Sequence, residues 1–268
     1  MSGFSLGSPA AAAPGGTAPV RPLPPHPGEV GSMHGRLVEM LGAGIALGHV
    51  HGTLDPDRIA RHFCVSRSVV REALRTLAAK GMVVARQRTG TRVTDPSQWA
   101  TLDEQVIRWR AAGAERFTQM QDSLDIRSRL EPLAARRMAE RGHPAAIEEL
   151  VAAARMIELA TRTKDGPGML VADTAFHRAL FMGSGNAMLA KLAGTVHACL
   201  RVPDFQQFQR FSAGTAQRHH QLAQAVAAGL PDEAERVAAD VIAITVELFT
   251  DAHRQLCGPS APTGRPPA

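Results

Sequence analysis

The sequence predicts a mainly α-helical protein, with one small mixed segment near its N-terminus and a long helical region after it. Aromatic residues make up only 4% of the 268 residues and tyrosine is absent, a composition that disfavours large sheets. Between Ser66 and Thr94, a helical pattern gives way to two β-branched stretches. After Trp99, apolar residues recur with helical spacing, and the breaks are rich in Gly and Pro.

The first two helices are predicted from apolar spacing and capping residues. The first helix spans about His34 to Leu47, and a Gly-rich turn at Gly48–Thr53 follows it. Asp55-Pro56 predicts the start of a second helix, Asp57 to Phe63, because Asp caps free amides and Pro fits a first turn. The residues expected to face the core from the first helix are Leu37, Val38, Leu41 and Ile45.

A third helix carries the most informative pattern in the chain. Three arginines recur every four residues and therefore share one face: Arg67, Arg71 and Arg75. The opposite side, expected to face the core, carries Val70, Leu74 and Leu77. Gly81 predicts the end of this helix, since a glycine often follows the last helical turn.

Two β-branched stretches then flank a basic tip, Arg86–Arg92, which predicts a β-hairpin. Helix, stop and basic hairpin together predict a winged helix-turn-helix. From Ser66 to Thr94, seven Lys or Arg stand against one acidic residue, a net charge of +6, whereas the whole chain carries +5. A solvated helix face is the alternative for such a charge run. The accompanying wing favours contact with DNA phosphates.

Composition excludes several classes of protein. No stretch approaches the roughly 20 apolar residues that cross a bilayer, and the N-terminus lacks the pattern of a secretory signal. The three cysteines, Cys64, Cys199 and Cys257, are widely spaced without a CxxC pair, which favours a reducing compartment. We therefore expect a cytoplasmic protein with no membrane partner. Cys64, in the turn between two helices, is expected to be a buried thiol.

We expect five segments along the chain. Residues 1–31 and 258–268 are Ala-, Gly- and Pro-rich and predict a disordered arm and a disordered tail. Residues 32–98 form the winged helix-turn-helix, residues 99–115 a linker helix, and residues 116–257 an all-helical domain for effector binding and dimerisation. Short connections predict an antiparallel bundle, which builds ligand sites from inward side chains. The helices predicted after Trp99 are Leu102–Ala111, Arg116–Arg141, Ala145–Thr163, Met169–Gly183, Ala187–Arg201, Phe205–Ala228 and Asp232–Leu256.

These motifs resemble the GntR family of bacterial transcription factors. The N-terminal resemblance rests on the run Val65–Leu74 and the wing Arg88–Val93. The helical region resembles the FCD ligand domain of the FadR branch, through Arg127–Glu131, Ala139–Arg141, Asp173–His177, Ser184–Asn186 and His220. The segment from Trp99 to Trp109 is similar to members that sense sugar acids such as galactonate or gluconate. The resemblance covers residues 32–255.

The resemblance implies which residues contact DNA. Arginines matching Arg67 and Arg71 reach base edges or nearby phosphates, because a planar guanidinium matches two acceptors at once. Ser66 and Ser68 are expected to donate hydrogen bonds to phosphates at the helix N-terminus. The wing is expected to enter the minor groove with Arg88, Gly90 and Thr91.

One departure from the family lies before the second helix. Relatives usually carry Glu-Arg-Glu there, whereas this chain has Asp55-Pro56-Asp57-Arg58. The arginine is therefore offset by one position. Arg58 is the candidate for the usual DNA contact.

A divalent metal site is expected in the helical region. Asp173 and His177 stand four residues apart and so project from one helix face, as two ligands would. The resemblance adds His220, and only one of His219 and His220 can face the centre because adjacent helical residues diverge by about 100°. Metal-binding relatives place a further histidine 22 residues on, where this chain has Ile242. The predicted site for Zn, Ni or Mn is therefore incomplete, and a simple Asp173–His177 hydrogen bond or a metal-free effector pocket are the alternatives.

The resemblance also implies an effector site. Arg127 is expected to clamp an effector carboxylate bidentately, and its alternative is a surface ion pair with Glu131, four residues on. Asn186 is expected to orient the pocket or to cap the following helix. His197 matches no family role.

The expected function is a homodimeric, ligand-responsive transcriptional regulator. It would bind a palindromic double-stranded DNA operator, because two-fold proteins read two-fold sites, and a small carboxylate such as a sugar acid would release repression. The alternatives are an acyl-CoA-sensing regulator, a metal-dependent hydrolase using Asp173, His177 and His220, and an architectural DNA binder without a ligand. We expect no enzyme, since no general base or oxyanion donor accompanies the cluster.

Overall fold

The computed structural model describes residues 31–86, 90–200 and 213–257, which fall into two compact units. The first unit ends at Gln119 and the second begins at Met120. Residues 1–30 of the predicted arm and the predicted tail 258–268 lie outside the described residues. Among the helices that are described, none is both long and apolar enough to cross a membrane.

The first unit contains four helices and a small antiparallel sheet among its described residues. Strand β3 lies in the middle of the sheet, in the order β1-β3-β2, and Val84 of β2 pairs with Arg92 of β3. The sheet and helices surround one apolar core. The elements are α1 (Met33–Ala46), β1 (Thr53–Leu54), α2 (Pro56–Phe63), α3 (Arg67–Ala79), β2 (Val83–Arg86), β3 (Gly90–Val93) and α4 (Glu104–Arg110).

Capping residues begin and end the two helices that follow β1. The Asp55 carboxylate accepts hydrogen bonds from the amides of Asp57 and Arg58, as the Asp-Pro pair predicts. Ser66 caps α3 by accepting from the amide of Val69. Gly81 then turns the chain with φ of +73°, and a side chain there would collide with the carbonyl oxygen of Gln98. The residues predicted to face inward from α1 and α3 are all buried.

Two details of this unit differ from the sequence prediction. Cys64 is exposed, not buried, because it ends α2 in the left-handed conformation, with φ of +51°, and this directs its side chain to solvent. Thr53, predicted to lie in a turn, pairs with Arg92 and so adds β1 to the sheet. A two-residue strand is too short to show alternation in sequence.

Helix α4 packs against α1 within the first unit. Trp109 is buried, and its indole nitrogen donates a hydrogen bond to Glu39 at 2.9 Å. Arg108 donates to the same carboxylate at 2.9 Å. A side chain at Gly42 would lie only 2.5 Å from the Trp109 ring, so the glycine permits this close approach.

The second unit is an antiparallel helical bundle. Helix α7 packs against both α6 and α8, while α9 packs against α6 and α10. Part of the predicted helix Phe205–Ala228, residues 205–212, lies outside the described residues. The helices are α5 (Arg116–Arg141), which crosses the boundary between the units, α6 (Pro144–Thr163), α7 (Gly166–Gly183), α8 (Ala187–Leu200), α9 (Ala213–Ala227) and α10 (Pro231–Cys257).

Helix α7 is the most enclosed element of the bundle. Its buried positions include Phe176 and Leu180, and Gly183 lies against the Met138 side chain of α5. Asp173 and His177 are also buried on this helix. Polar side chains at these two positions therefore point into protein instead of water, where they require partners.

Gly42→Ala is expected to lower the free energy of unfolding by about 1–3 kcal/mol, because the added methyl group overpacks the rigid Trp109 ring. The higher helix propensity of alanine opposes this effect by roughly 0.5–1 kcal/mol. Chemical denaturation of the variant and the parent measures the difference. A variant as stable as the parent would show that α4 can move away from α1.

Candidate functional site

The arginine face of α3 is exposed, as its spacing predicts. Arg67, Arg71 and both predicted phosphate donors, Ser66 and Ser68, are exposed. The two hydroxyl groups lie 2.8 Å apart at the start of the helix. A helix N-terminus attracts anions through its free amides and its dipole. This end of α3 therefore presents hydroxyl groups and cations together.

Arg67 is held by a carboxylate that the sequence analysis did not single out for this role. Its guanidinium meets Asp57 of α2 through Nε at 2.8 Å and Nη2 at 3.2 Å. Both side chains are well exposed, so the pair contributes little stability. Its effect is instead to orient Arg67, and in the predicted DNA contact a phosphate or base would replace Asp57 as its partner.

The remaining predicted DNA contacts are distributed over α2 and the wing. Arg58 is exposed on α2, while Gly90 and Thr91 lie at the start of β3. Arg88 lies outside the described residues. Lys80 differs from the other described cations of the segment, because it is largely buried and pairs with Asp103 at 2.7 Å.

A cluster of ionisable side chains lies inside the second unit. Asp173, His177 and His219 are buried and bring one possible metal-ligating atom each to within 4.8 Å of the others. The Asp173 carboxylate Oδ1 lies 3.6 Å from His177 Nε2 and 3.5 Å from His219 Nε2. These three residues, on α7 and α9, are called the Asp-His-His cluster below.

The structure corrects the expectation that His220 joins this cluster. His219 is buried there, whereas His220 is only half-buried. Adjacent helical residues diverge by about 100°, so only one of them can face inward. The sequence contained the deciding signal, because four apolar residues of α9 stand three, four or seven positions from His219 and share its helix face: Ala216, Leu222, Ala223 and Val226.

The hydrogen bond made by His219 shows which of its nitrogens faces Asp173. Nδ1 lies 2.9 Å from the carbonyl oxygen of Thr215, which only accepts, so Nδ1 carries the proton. Nε2 therefore directs a lone pair towards the Asp173 carboxylate and has no hydrogen-bond partner among the described residues. Two acceptors facing each other at 3.5 Å are stable when a cation lies between them.

Arg127 and Glu131 of α5 complete the charged interior. They form an ion pair at 2.6 Å, and both are almost fully buried. The alternative expectation was therefore right about the partner, but the pair does not lie on the surface. Glu131 also approaches His177 Nδ1 at 2.8 Å, and the Arg127 guanidinium lies 3.4 Å from His177 Nε2.

Burial and charge compete to set the pKa values of the cluster. Burial alone disfavours the charged form of His177, but Glu131 and Asp173 raise its pKa to about 9. Burial would likewise raise the pKa of Glu131, yet Arg127 and His177 lower it to about 2. Asp173 has a lowered pKa for the same reason, through His177 and His219. For His219, burial prevails and lowers the pKa, so this imidazole is neutral.

The Asp-His-His cluster fits a divalent metal ion. Ligand atoms about 2.1 Å from zinc in a tetrahedron lie about 3.4 Å apart, close to the 3.5 and 3.6 Å separations around Asp173. The contacts of Nδ1 with Thr215 and Glu131 would orient the two imidazoles as outer partners of metal ligands do. The ion would also have to displace the proton that His177 holds.

The fourth ligand of metal-binding relatives is absent here, whether its position is counted from His219 or from His220. Counted from His219 instead of His220, the position falls on Val241, not Ile242. Both residues are buried and apolar. A bound ion would therefore have three protein ligands and one open position, the arrangement that leaves room for water or a carboxylate.

Asn186 acts as the cap of α8. Its side-chain oxygen accepts hydrogen bonds from the amides of Met188 at 2.9 Å and Leu189 at 3.2 Å. The capping role expected for this residue is thus visible in its contacts. No described contact connects it with the Asp-His-His cluster.

Comparison with known families assigns both units. The model for bacterial regulatory proteins of the gntR family matches residues 51–93. The model for the FCD domain matches residues 122–243. The first match contains α2, α3 and the wing, and the second contains the Asp-His-His cluster.

Curated relatives agree with these matches. The chain is 35% identical over 153 residues to the uncharacterised regulator YieP of Escherichia coli, spanning 55% of this chain but only 65% of the length of YieP. It is 27% identical to the galactonate operon transcriptional repressor of Escherichia coli, over 78% of this chain and 93% of that protein. It is 32% identical to the transcriptional regulator LutR of Bacillus subtilis, over 66% of this chain and 81% of LutR.

A solved structure supports the fold. Lar, which controls expression of the agr system of Listeria monocytogenes, superposes with a TM-score of 0.57 at 20% identity, over 83% of this chain and 97% of that chain. Together with the helix-turn-helix and the buried cluster, these comparisons define a DNA-binding transcriptional regulator. The chain belongs to the GntR family, in the branch that carries an FCD domain.

Arg67→Ala and Arg71→Ala are each expected to weaken binding to a mapped operator by about 1–3 kcal/mol, because each removes a contact with a base or phosphate. Fluorescence anisotropy at fixed salt measures the change. Arg155→Ala, with the same charge loss at an exposed position of α6, serves as the control. Lys80→Ala should weaken binding much less, since Lys80 pairs with Asp103. Parent-like affinity of both arginine variants would contradict a recognition role for α3.

The charged cluster predicts a pH-dependent stability of the metal-free protein. Because the folded pKa of His177 is raised from 6.5 to about 9, its stabilising effect is complete below pH 6.5 and is lost as the pH rises through about 9. In the presence of a chelator, the melting temperature should therefore fall over this range. His177→Gln should remove this part of the slope, while the neighbouring control His220→Gln should retain it. The same slope in both variants would contradict the ion contacts of His177.

Proposed function

We propose that the protein is a homodimeric repressor of a carboxylate catabolic operon, and that a small anionic effector such as a sugar acid releases it from a palindromic operator. The observation that carries the effector site is the buried cluster of charges in the bundle, where His219 Nε2 has no hydrogen-bond partner among the described residues. A purely structural bundle has little reason to bury these groups, because desolvation is costly.

The class of effector follows from the charge of the cluster. With His177 protonated, two cations (Arg127 and His177) balance two anions (Glu131 and Asp173), and His219 is neutral. A divalent ion that replaces the His177 proton leaves the interior with a net positive charge. An anion with oxygen donors would restore neutrality and occupy the open metal position. The similarity to the galactonate operon repressor supports a sugar acid as this anion.

Arg127 would recognise the effector by exchanging partners. Its guanidinium is bound to the Glu131 carboxylate at 2.6 Å, and Glu131 therefore occupies the place that an effector carboxylate would take. Because a buried guanidinium needs a carboxylate partner, the effector must replace this contact or share it. Rearrangement of Arg127 and Glu131 would shift α5 relative to α7, on which His177 lies.

Coupling to DNA requires that the effector bind one state of the dimer more tightly than the other. A ligand with equal affinity for both states would shift nothing. We propose that the movement of α5 changes the separation of the two DNA-binding units of a dimer. The operator half-sites have a fixed spacing, so such a change alters affinity.

The experiment is a titration of metal ion with and without candidate effectors. Zinc, nickel or manganese should bind the purified parent, and galactonate or gluconate should strengthen that binding, with the reciprocal effect on effector affinity. Isothermal titration calorimetry measures both. Asp173→Ala and His219→Ala should abolish the effector response while operator binding without effector persists. His220→Ala, one residue away, is the matched control and should behave as the parent.

A second pair of variants tests the vacant ligand position. Val241→His should raise metal affinity and reduce its dependence on effector, because it supplies a fourth ligand, the third nitrogen of the site. Ile242→His, directed about 100° away on the same helix, should not. Failure of the parent to bind any of the three ions would leave a metal-free pocket. Failure to respond to any carboxylate would contradict the proposed effector class.

A further inference from the structure

A groove separate from the charged cluster lies between α6, α7 and α8. Its volume is about 510 Å³, within the range of small-molecule sites. Its walls are mostly apolar, from Met156, Leu170, Val171 and several alanines. The groove lies on a different face of α7 from the Asp-His-His cluster. It is lined by Thr174 and Arg178, which follow Asp173 and His177 in sequence and therefore point about 100° away from them.

Thr174 contributes a buried hydroxyl group to this groove, and no hydrogen bond within the described part of the chain uses it. The residue is more than nine-tenths buried and lines the groove. Its hydroxyl Oγ1 has no hydrogen-bond partner in the described part of the chain. A helical threonine usually satisfies its hydroxyl on a carbonyl of the preceding turn, as Thr163 does. An unpartnered buried hydroxyl costs free energy unless a ligand completes its hydrogen bonds.

Two opposite charges stand at one end of the groove. Helices α6 and α7 form an antiparallel hairpin through the turn at Lys164 and Asp165. Glu149 and Arg178 lie at similar distances in sequence from this turn, far along the hairpin, and both line the groove. Both side chains are exposed, and among the described residues neither has an ion-pair partner.

The apolar end of the groove lies nearer the turn. Met156, Leu170 and Val171 line it there, and Met156 and Val171 are exposed by 44% and 59%. Along α7, the distance from Arg178 to Val171 is about 10 Å at 1.5 Å per residue. The groove therefore presents a positive and a negative group at one end, a hydroxyl in the middle and an apolar surface at the other end, and His197 of α8 also lines it.

We propose that this groove binds a zwitterion with an apolar chain, of which large apolar α-amino acids are the simplest examples. The ligand carboxylate would pair with Arg178 and its ammonium group with Glu149. Thr174 Oγ1 would donate to the carboxylate, and the side chain of the ligand would cover Met156 and Val171. The site requires neither the metal nor the anionic effector of the proposed function, so it constitutes a second input to the FCD domain.

The experiment uses the full-length protein and three probes, L-leucine, L-methionine and L-phenylalanine, with calorimetry and thermal shift as readouts. At least one probe should bind at millimolar concentration or below. Two analogues of L-leucine each lack one charge: 4-methylpentanoate lacks the ammonium group, and 3-methylbutylamine lacks the carboxylate. Each should bind at least roughly tenfold more weakly than L-leucine. These analogues distinguish a zwitterion site from a site for any apolar chain.

Variants locate the binding. Arg178→Gln should weaken it roughly tenfold, the equivalent of one charged hydrogen-bonded pair. Thr174→Val, of the same shape, should weaken it several-fold. Arg162→Gln, at an exposed position of α6 outside the groove, is the matched control for Arg178→Gln and should bind as the parent. His219→Gln should also bind as the parent, because the charged cluster is a different site.

Three results would overturn the proposal. The first is no binding of any of the three amino acids. In the second, His219→Gln abolishes binding, whereas Thr174→Val and Arg178→Gln leave it unchanged. This pattern would place the amino acid in the charged cluster. The third concerns Ala175→Trp, which fills the groove. A loss of dimer in sedimentation analysis of this variant would identify the groove as an interface between two copies of the chain.

Discussion

The burial of charge inside the helical bundle constrains the rest of the second unit. Arg127, Glu131, Asp173, His177 and His219 are almost fully buried. The four charged side chains contact one another in sequence, Arg127 with Glu131, Glu131 with His177 and His177 with Asp173. Transferring a charged side chain from water into the protein interior costs on the order of several kcal/mol. Close ion contacts offset this cost only when their geometry is maintained. Helices α5, α7 and α9 are therefore fixed relative to one another by electrostatics as well as by apolar packing.

The same constraint makes the interior sensitive to any change in the charge of one of its members. The charges balance when His177 holds a proton, and they no longer balance when a divalent ion replaces that proton. A change in one member must be compensated by another, and in the proposed effector complex the ligand carboxylate would compete with Glu131 for Arg127. A packed apolar core offers no such alternative, because its contacts are non-directional. The position of the cluster in an FCD domain suits a regulator that must exist in two states.

The DNA-binding unit uses charge in the opposite way. The arginines on the exposed face of α3 form only weak contacts with carboxylates, as in the pairs of Arg67 with Asp57 and of Arg75 with Glu72. These contacts can be exchanged for phosphates and base edges at little cost. Affinity for DNA can therefore come from the surface of α3 and the wing, while the apolar core beneath them keeps the spacing of that surface constant.

The sequence by itself determined the order of helices, the arginine face of α3 and the shared direction of Asp173 and His177. The order of helices follows from apolar spacing with the capping residues and the Gly- and Pro-rich breaks. The other two follow from periodicity within one helix, where spacing fixes the angle between side chains. The tertiary structure placed His219 in the cluster, the residue that the apolar spacing along α9 favours, whereas the family resemblance had pointed to His220. It also decided that Asp57 holds Arg67, that the pair of Arg127 and Glu131 is buried, and that Thr174 faces a groove. Spacing fixes side chains relative to their own helix, but only packing fixes how each helix is rotated against its neighbours.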